Sequence, residues 1–227
     1  MKLEISIIYD NTSITGFKHG WGFSTLIKVQ YDSETKNILF DTGANKEILF
    51  YNMEKLKINP KNIDIIVLSH PHFDHAGGLP YILKIKDDVD VYLPKFIGSL
   101  DRTEIYSYGS NRTKFIDVEG IVEITDNVKC VCTKEIFEQF LMVHLSKGLF
   151  IISGCAHPGL GRIIDFTKNY GKIFGVMGGF HGFAKLEKLK DIDFIAPCHC
   201  TSQTDAIKRL YQDKVHDCGA GKQYELI

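Results

Sequence analysis

A chain of 227 residues is long enough to bury a sizeable core, and its 44% hydrophobic and 24% charged residues exclude intrinsic disorder. Its 27 basic residues against 28 acidic ones leave a formal charge of -1, which excludes the broad basic footprint of a nucleic-acid binder. No apolar run approaches the roughly 18 residues that span a bilayer. Glu4 also breaks the short apolar stretch where a signal peptide would need its core, so a cytoplasmic protein with no membrane partner is expected.

Taken in order, residues 3–9 and 22–31 alternate apolar and polar side chains and predict strands joined by a glycine-containing connection. Residues 32–37 predict a turn, and 38–40 a buried strand delivering Asp41-Thr42-Gly43. From Asn45, a candidate cap, Leu49, Met53 and Leu56 fall on one helical face, and Asn59-Pro60 marks the end of that element. The apolar run 63–68 predicts a buried strand, 79–86 a helix and 89–93 a strand. Residues 94–115 lack periodicity and predict an irregular insertion of the kind that forms lids or binding loops.

Strands then follow at 115–118, 121–124, 128–132, 139–145 and 148–153. Helices are predicted at 161–170, 184–190 and 202–211, strands at 172–177 and 192–196, and short strands near 214 and 224. With no linker or low-complexity segment, residues 1–227 predict one domain: two sheets face to face with a helical layer outside each. The six cysteines, Cys130, Cys132, Cys155, Cys198, Cys200 and Cys218, show no disulfide-scaffold spacing and are expected as thiols.

The chemistry concentrates in Ser69-His70-Pro71-His72-Phe73-Asp74-His75-Ala76-Gly77-Gly78, directly after a buried strand. Burying a neutral polar group unpaired costs roughly 2–7 kcal/mol and a charge far more, so three imidazoles and a carboxylate packed this densely point to a bound metal. His70 and His72 are two apart, so an extended backbone turns both rings to one side. Asp74 and His75 follow where the chain begins to turn and can face a second point, an arrangement suited to two adjacent metals. Gly77-Gly78 allows close backbone passage before Pro80, which a helix tolerates in its first turn.

His72, His157, His181 and His199 all lie just beyond apolar runs, and in layered α/β proteins such strand ends gather on one edge. His157 and His199 are therefore the natural remaining ligands. His19, His144 and His216 lack such a context, and His144, inside a predicted strand, is expected to be structural. Nitrogen and carboxylate donors permit zinc, manganese or iron. Gly159-Leu160-Gly161-Arg162 opens a helix whose amides could receive a phosphate.

Asp41-Thr42-Gly43 also matches the signature of aspartic proteases, which need two such aspartates to share a proton. One copy would demand a dimer and leave the histidines unexplained. In the metal reading Asp41 instead holds a ligand imidazole in its correct tautomer. A structural zinc knuckle from Cys198-His199-Cys200 and Cys218 fails on spacing.

The stretch SHPHFDHAGGL resembles the metal-binding signature of the metallo-β-lactamase-fold hydrolases. Asp10-Asn11, His19-Gly20, Gly22-Phe23-Ser24, Asp41-Thr42-Gly43, Gly154-Cys155-Ala156-His157-Pro158-Gly159, Gly178-Gly179-Phe180-His181 and His199-Cys200-Thr201 are similar to a narrower branch. That branch comprises the dihydropterin–ribofuranosylaminobenzene-phosphate synthase-like proteins.

The resemblance implies an α/β (α+β) four-layer αββα sandwich and two divalent transition-metal ions, zinc first and manganese or iron next. It assigns His70, His72 and His157 to one ion and Asp74, His75 and His199 to the other. The implied function is hydrolysis of a small anionic ester, a phosphoester or cyclic phosphate first, by a hydroxide held between the cations. Synthase-like chemistry on a pterin, or metal binding without turnover, are the alternatives. Asp74 and His181 are the expected catalytic residues, with Ser24, His181 and Arg162 contacting a small-molecule substrate; a homo-oligomer is compatible with this. The wider superfamily commonly has a bridging aspartate where this chain has Cys155. This residue is read as packing beside the metals, with thiolate ligation as the other possibility.

Overall fold

The computed structural model describes residues 1–32 and 34–226. Its first sheet is built from β1 (Lys2–Tyr9), β2 (Ser24–Gln30), β3 (Thr35–Phe40), β4 (Ile65–Val67), β5 (Asp90–Pro94) and β6 (Lys114–Val118). The second comprises β7 (Gly120–Thr125), β8 (Val128–Cys132), β9 (Phe140–Leu145), β10 (Gly148–Ser153), β11 (Ile173–Gly179) and β12 (Phe194–Cys198). The chain then returns so that β13 (Gln223–Leu226) pairs with β1, and the first sheet runs β13-β1-β2-β3-β4-β5-β6. Pairing turns from antiparallel to parallel at β3 in one sheet and at β10 in the other. The parallel strands place their C-terminal ends along one edge of the sandwich, and loops there can share a site.

Three apolar clusters define the layers. Phe23, Ile27, Phe40, Val67, Cys130, Phe150 and Met177 are among the side chains buried between the sheets. The outer face of the first sheet is covered by α1 (Lys46–Lys55), α3 (Leu79–Leu83) and α4 (Ser99–Ser107), through Leu49, Met53, Leu79, Ile82 and Ile105. On the second sheet, α5 (Leu160–Lys168) and α6 (Thr204–Leu210) bury Leu160, Ile163, Ile164 and Ile207. The result is the expected αββα sandwich. The Asn45 side chain accepts from Ile48 N–H at 3.0 Å, so it caps α1 as its residue type predicts.

Several local expectations are corrected. Thr35, Lys36 and Asn37 belong to β3 rather than a turn, because they pair in register with Gln30, Val29 and Lys28; Ser33 lies outside the described residues. Segment 94–115 is not irregular. It carries α4, whose single buried residue, Ile105, leaves no apolar period to read. Residues 184–190 form only a 3-10 turn at Leu186–Leu189, and the strand near 214 reduces to a 3-10 turn and a bridge between Val215 and Ile195. Cys198 and Cys218 are disulfide-bonded rather than free, since the chain beyond α6 folds back on β12 with their Cα atoms 5.2 Å apart. No helix among the described residues is long and apolar enough to cross a membrane.

His144 sits in β9, as expected of a structural residue, and its Nε2 is buried with no partner among the described residues. Burial, then the charge of Lys129, hold its pKa below the ordinary 6.5. The folded chain therefore takes up this proton less readily than the unfolded one, so the contribution to stability is present above pH 6.5 and lost as pH falls through the lowered value. Denaturant midpoints measured across that range should fall more for the wild type than for His144→Gln; parallel profiles would rule this contribution out.

Candidate metal centre

At the shared edge the backbone leaves each strand abruptly. Five non-glycine residues among those described have positive φ, and four of them, Asp41, Ala156, His181 and His199, stand just past β3, β10, β11 and β12. Such conformations cost of order 1–3 kcal/mol each and gather where a side chain must be aimed. The loop after β4 supplies Ser69, His70 and His72. The short α2 (Phe73–Ala76) then turns Asp74 and His75 inward, a helical turn that lay within the expected bend.

Two groups of donors converge. The donor atoms of His70, His72 and His157 lie within 4.8 Å of one another, and so do those of Asp74, His75 and His199. In the first group His70 Nε2 is 3.0 Å from His72 Nδ1. In the second, His199 Nε2 lies 3.2 Å from both His75 Nε2 and Asp74 Oδ2, and His75 Nε2 is 3.7 Å from Asp74 Oδ2. The His70 and His75 rings, 4.2 Å apart at their centroids, join the groups.

What fits this cluster to cations is the partner on the far side of four of its five rings. Ser69 has one hydroxyl proton. It faces Asp41 Oδ2 at 2.7 Å, so Ser69 Oγ accepts from His70 Nδ1–H at 2.8 Å. Asp41 Oδ2 also accepts from His75 Nδ1–H at 2.7 Å, while Oδ1 accepts from Ser69 N–H at 2.7 Å. His199 Nδ1–H donates to Asn11 Oδ1 at 2.9 Å, and His157 Nδ1 is tied to Glu138 Oε1. With Nδ1 occupied, His70, His75, His157 and His199 keep Nε2 for the centre, the orientation that metal-ligating histidines receive from outer partners.

The charges agree with that division. Burial, then repulsion from His75 and His72, hold the His70 pKa well below 6.5 and leave its Nε2 lone pair free. Burial opposes a charge on His75, but the Asp41 carboxylate more than offsets it and raises its pKa, the polarisation that makes Nε2 a stronger donor. Burial likewise disfavours ionised Asp74, yet His199 and His75 bring its pKa down to about 2, so it is a carboxylate at any ordinary pH. The hydrogen bond that His157 donates to Glu138 raises the His157 pKa.

Among the other expected site residues, His181 is exposed on the rim with its ring 4.8 Å from that of His157. Asp41 lies directly behind His75. Ser24 and Arg162 are corrections. Ser24 is fully buried and its hydroxyl donates to Asp41 O at 2.8 Å, so it braces the backbone instead of meeting a substrate. Arg162 is exposed on α5, in a groove with Thr133, Glu135 and Phe166 that includes none of the six donors. Cys155 is buried, with Sγ 3.1 Å from His75 Nε2 and 3.3 Å from Cys200 Sγ.

Sequence reasoning missed Glu138, Ser69, Asn11 and Cys200 as contributors. Asn11 and Cys200 stood inside quoted motifs without a role, whereas Glu138 had no motif to mark it. A cavity of about 390 Å³ opens beside the first group, lined by His70, His72, His157 and Glu138 with Phe96, Ile97 and Phe137 as an apolar wall. A larger cavity of about 550 Å³ lies beyond Pro71 between α3 and α4 and touches none of the six donors.

Comparison with known proteins agrees with this architecture. The family model of the metallo-beta-lactamase superfamily matches residues 20–138. The 7,8-dihydropterin-6-methyl-4-(beta-D-ribofuranosyl)-aminobenzene-5'-phosphate synthase of Methanocaldococcus jannaschii is 33% identical over 206 residues, covering 70% of each chain. The solved structure of Tm1679, a metal-dependent hydrolase of the beta-lactamase superfamily, superposes with a TM-score of 0.76 at 27% identity over 98% of both chains. A diphosphatase from the PhnP family shares the fold, with a TM-score of 0.63 at 14% identity over 100% of this chain and 98% of that one. The strand-end histidines, the paired sheets and these likenesses converge: the chain belongs to the metallo-beta-lactamase superfamily.

Proposed function

We propose that the protein is a metal-dependent hydrolase of a small anionic ester, with a phosphoester or cyclic phosphate as the preferred substrate. The observation that carries this reading is the pair of adjacent donor groups, in which the Nδ1 atoms of His70, His157, His75 and His199 are already engaged by outer partners. His70, His72 and His157 would hold one divalent ion and Asp74, His75 and His199 the other, zinc first and manganese or iron next. When bound, such ions supply Lewis acidity that polarises the scissile group and acidifies water.

The remaining work falls to the chain. The apolar wall of Phe96, Ile97 and Phe137 receives the organic part of a small substrate and keeps water from it, with the anionic group turned toward the histidines. Segment 94–115 thus acts as a wall beside the site. In this reading His181, exposed beside His157, contacts the substrate and gives a proton to the leaving oxygen. Asp74, kept ionised, accepts a hydrogen bond from the attacking water and so positions it.

A second reading is synthase-like chemistry on a dihydropterin, favoured by the name of the relative from Methanocaldococcus jannaschii. Turnover screens on phosphodiesters, cyclic phosphates, thioesters, lactones and dihydropterins, with elemental analysis alongside, separate the two. Phosphoester turnover with about two transition-metal ions per chain is the expected result. Turnover confined to the pterin, or a protein carrying metal but inert on every ester, would overturn the hydrolase reading.

A further inference from the structure

Two sulfur atoms that this mechanism leaves unused face the donors. Cys155 Sγ groups within 4.8 Å with the donor atoms of His70 and His75, and again with those of His199 and Cys200, so it lies between the two sets. The other cysteines are committed elsewhere: Cys198 and Cys218 are bonded to each other, and Cys130 and Cys132 are buried between the sheets. We propose that Cys155 and Cys200 are metal ligands, the Cys155 thiolate lying between the ions and both sulfurs serving the position of His75 and His199, which makes that position select zinc or iron(II) over manganese.

The spacing supports ligation over packing. Donors sharing one ion at metal–nitrogen distances of about 2.0–2.1 Å and metal–sulfur distances of about 2.3 Å stand roughly 2.9–3.8 Å apart, from the right angles of a five-coordinate site to tetrahedral ones. Here Cys155 Sγ is 3.1 Å from His75 Nε2 and 3.3 Å from Cys200 Sγ, and His75 Nε2 is 3.2 Å from His199 Nε2. A cysteine that merely filled space would set its sulfur against carbon, as Cys130 does between the sheets. Gly179, at the end of β11, leaves room for the second sulfur as well as for the neighbouring backbone: a Cβ there would clash with Gly154 O and lie 2.7 Å from Cys200 Sγ.

Charge points the same way. Asp74 is the one carboxylate among the six nitrogen and oxygen donors, while Asp41 and Glu138 act only through His75 and His157, so the direct donors bring little negative charge to two divalent cations. Two thiolates would add negative charge directly at the ions. As soft donors they also favour zinc or iron over manganese, which carboxylate and water suit better.

This inference rests on the metal-centre reading, and cobalt(II) separates the two. Full-length protein with its thiols kept reduced and its metal removed is titrated with cobalt(II). The expected result is near-ultraviolet sulfur-to-cobalt charge-transfer absorption that Cys155→Ser largely removes and Cys200→Ser weakens. Affinity for one ion should fall by at least about tenfold in Cys155→Ser, the lower end of what even an outer partner's loss costs. Cys155→Asp, an oxygen donor in the same place, should bind two ions again while shifting competition toward manganese by about tenfold or more.

Full cobalt occupancy in the wild type without a charge-transfer band would overturn thiolate ligation and leave the metal centre standing. Failure to bind cobalt at all would overturn both. Because the wild-type spectrum decides the question, a variant that failed to fold would not shelter the proposal.

Discussion

His72→Ala and Asp74→Ala are each expected to lower turnover by about a hundredfold or more, since loss of an outer partner alone costs about 10–100-fold and these residues stand nearer the ion. The effect should be specific to chemistry. His72 is exposed, so its removal should change stability by no more than about 0.5 kcal/mol. Asp74 is half-buried beside His75 and His199, and its depressed pKa means that its contribution to stability is present above the ordinary 3.8 and lost as pH falls toward about 2. Asp74→Ala should therefore cost some stability at neutral pH without unfolding the chain.

Chelation of the wild type should reproduce the loss, and added zinc should reverse it. Neither variant should recover in the same way. Circular dichroism, metal content and rate, measured together, check this result; near-normal rates in both variants would place the chemistry elsewhere. An aspartic-protease mechanism built on Asp41 makes the opposite demand, because a chelator would then leave activity untouched.

The sandwich was legible because its strands alternate or run apolar, and four of the six donors were legible because they are neighbours in one loop. His157 and His199 could be read as well, each a polar residue stranded past an apolar run. Their partners could not. Asn11 is 188 positions from His199, and Glu138 reaches His157 only because β9 and β10 pair as a hairpin.

Direction was also hidden. Ser24 sits in a motif beside other site residues, but nothing local says that its hydroxyl turns to the Asp41 carbonyl and away from the cavity. Cys155, between two small residues, read as a filler for a crowded turn. Only the meeting of the segment after β4 in the first sheet with the end of β10 in the second shows that its sulfur meets nitrogen. α4 was missed for a different reason, since a helix with one buried side chain leaves no period in the sequence.

Asp41→Ala and Asp41→Asn should both impair the centre, by different routes. Asp41 is fully buried, and its two oxygens take three protons: Ser69 N–H, Ser69 Oγ–H and His75 Nδ1–H. Alanine leaves these donors without an acceptor in a site closed to water, at a cost of roughly 3–5 kcal/mol, as for breaking a buried charged pair. The left-handed backbone at φ 57 is also one that aspartate visits more readily than alanine, which adds to the loss. Asparagine tolerates that conformation and keeps the shape, so it isolates the electrical part.

Its amide nitrogen cannot accept. If it faces Ser69 Oγ and His75, the serine must turn its proton toward His70 Nδ1, and His75 Nδ1 must become an acceptor. Both imidazoles then carry their protons on Nε2, the atom that faces the centre. Metal affinity in Asp41→Asn should fall by about 10–100-fold with modest loss of stability, while Asp41→Ala loses both. Thermal denaturation and metal titration separate the routes, and nitrogen NMR shifts of His70 and His75 report the tautomers directly. An asparagine variant that kept both its metal affinity and the Nδ1–H tautomers would show that the hydrogen-bond chain from His70 through Ser69 and Asp41 to His75 does not position the ligands.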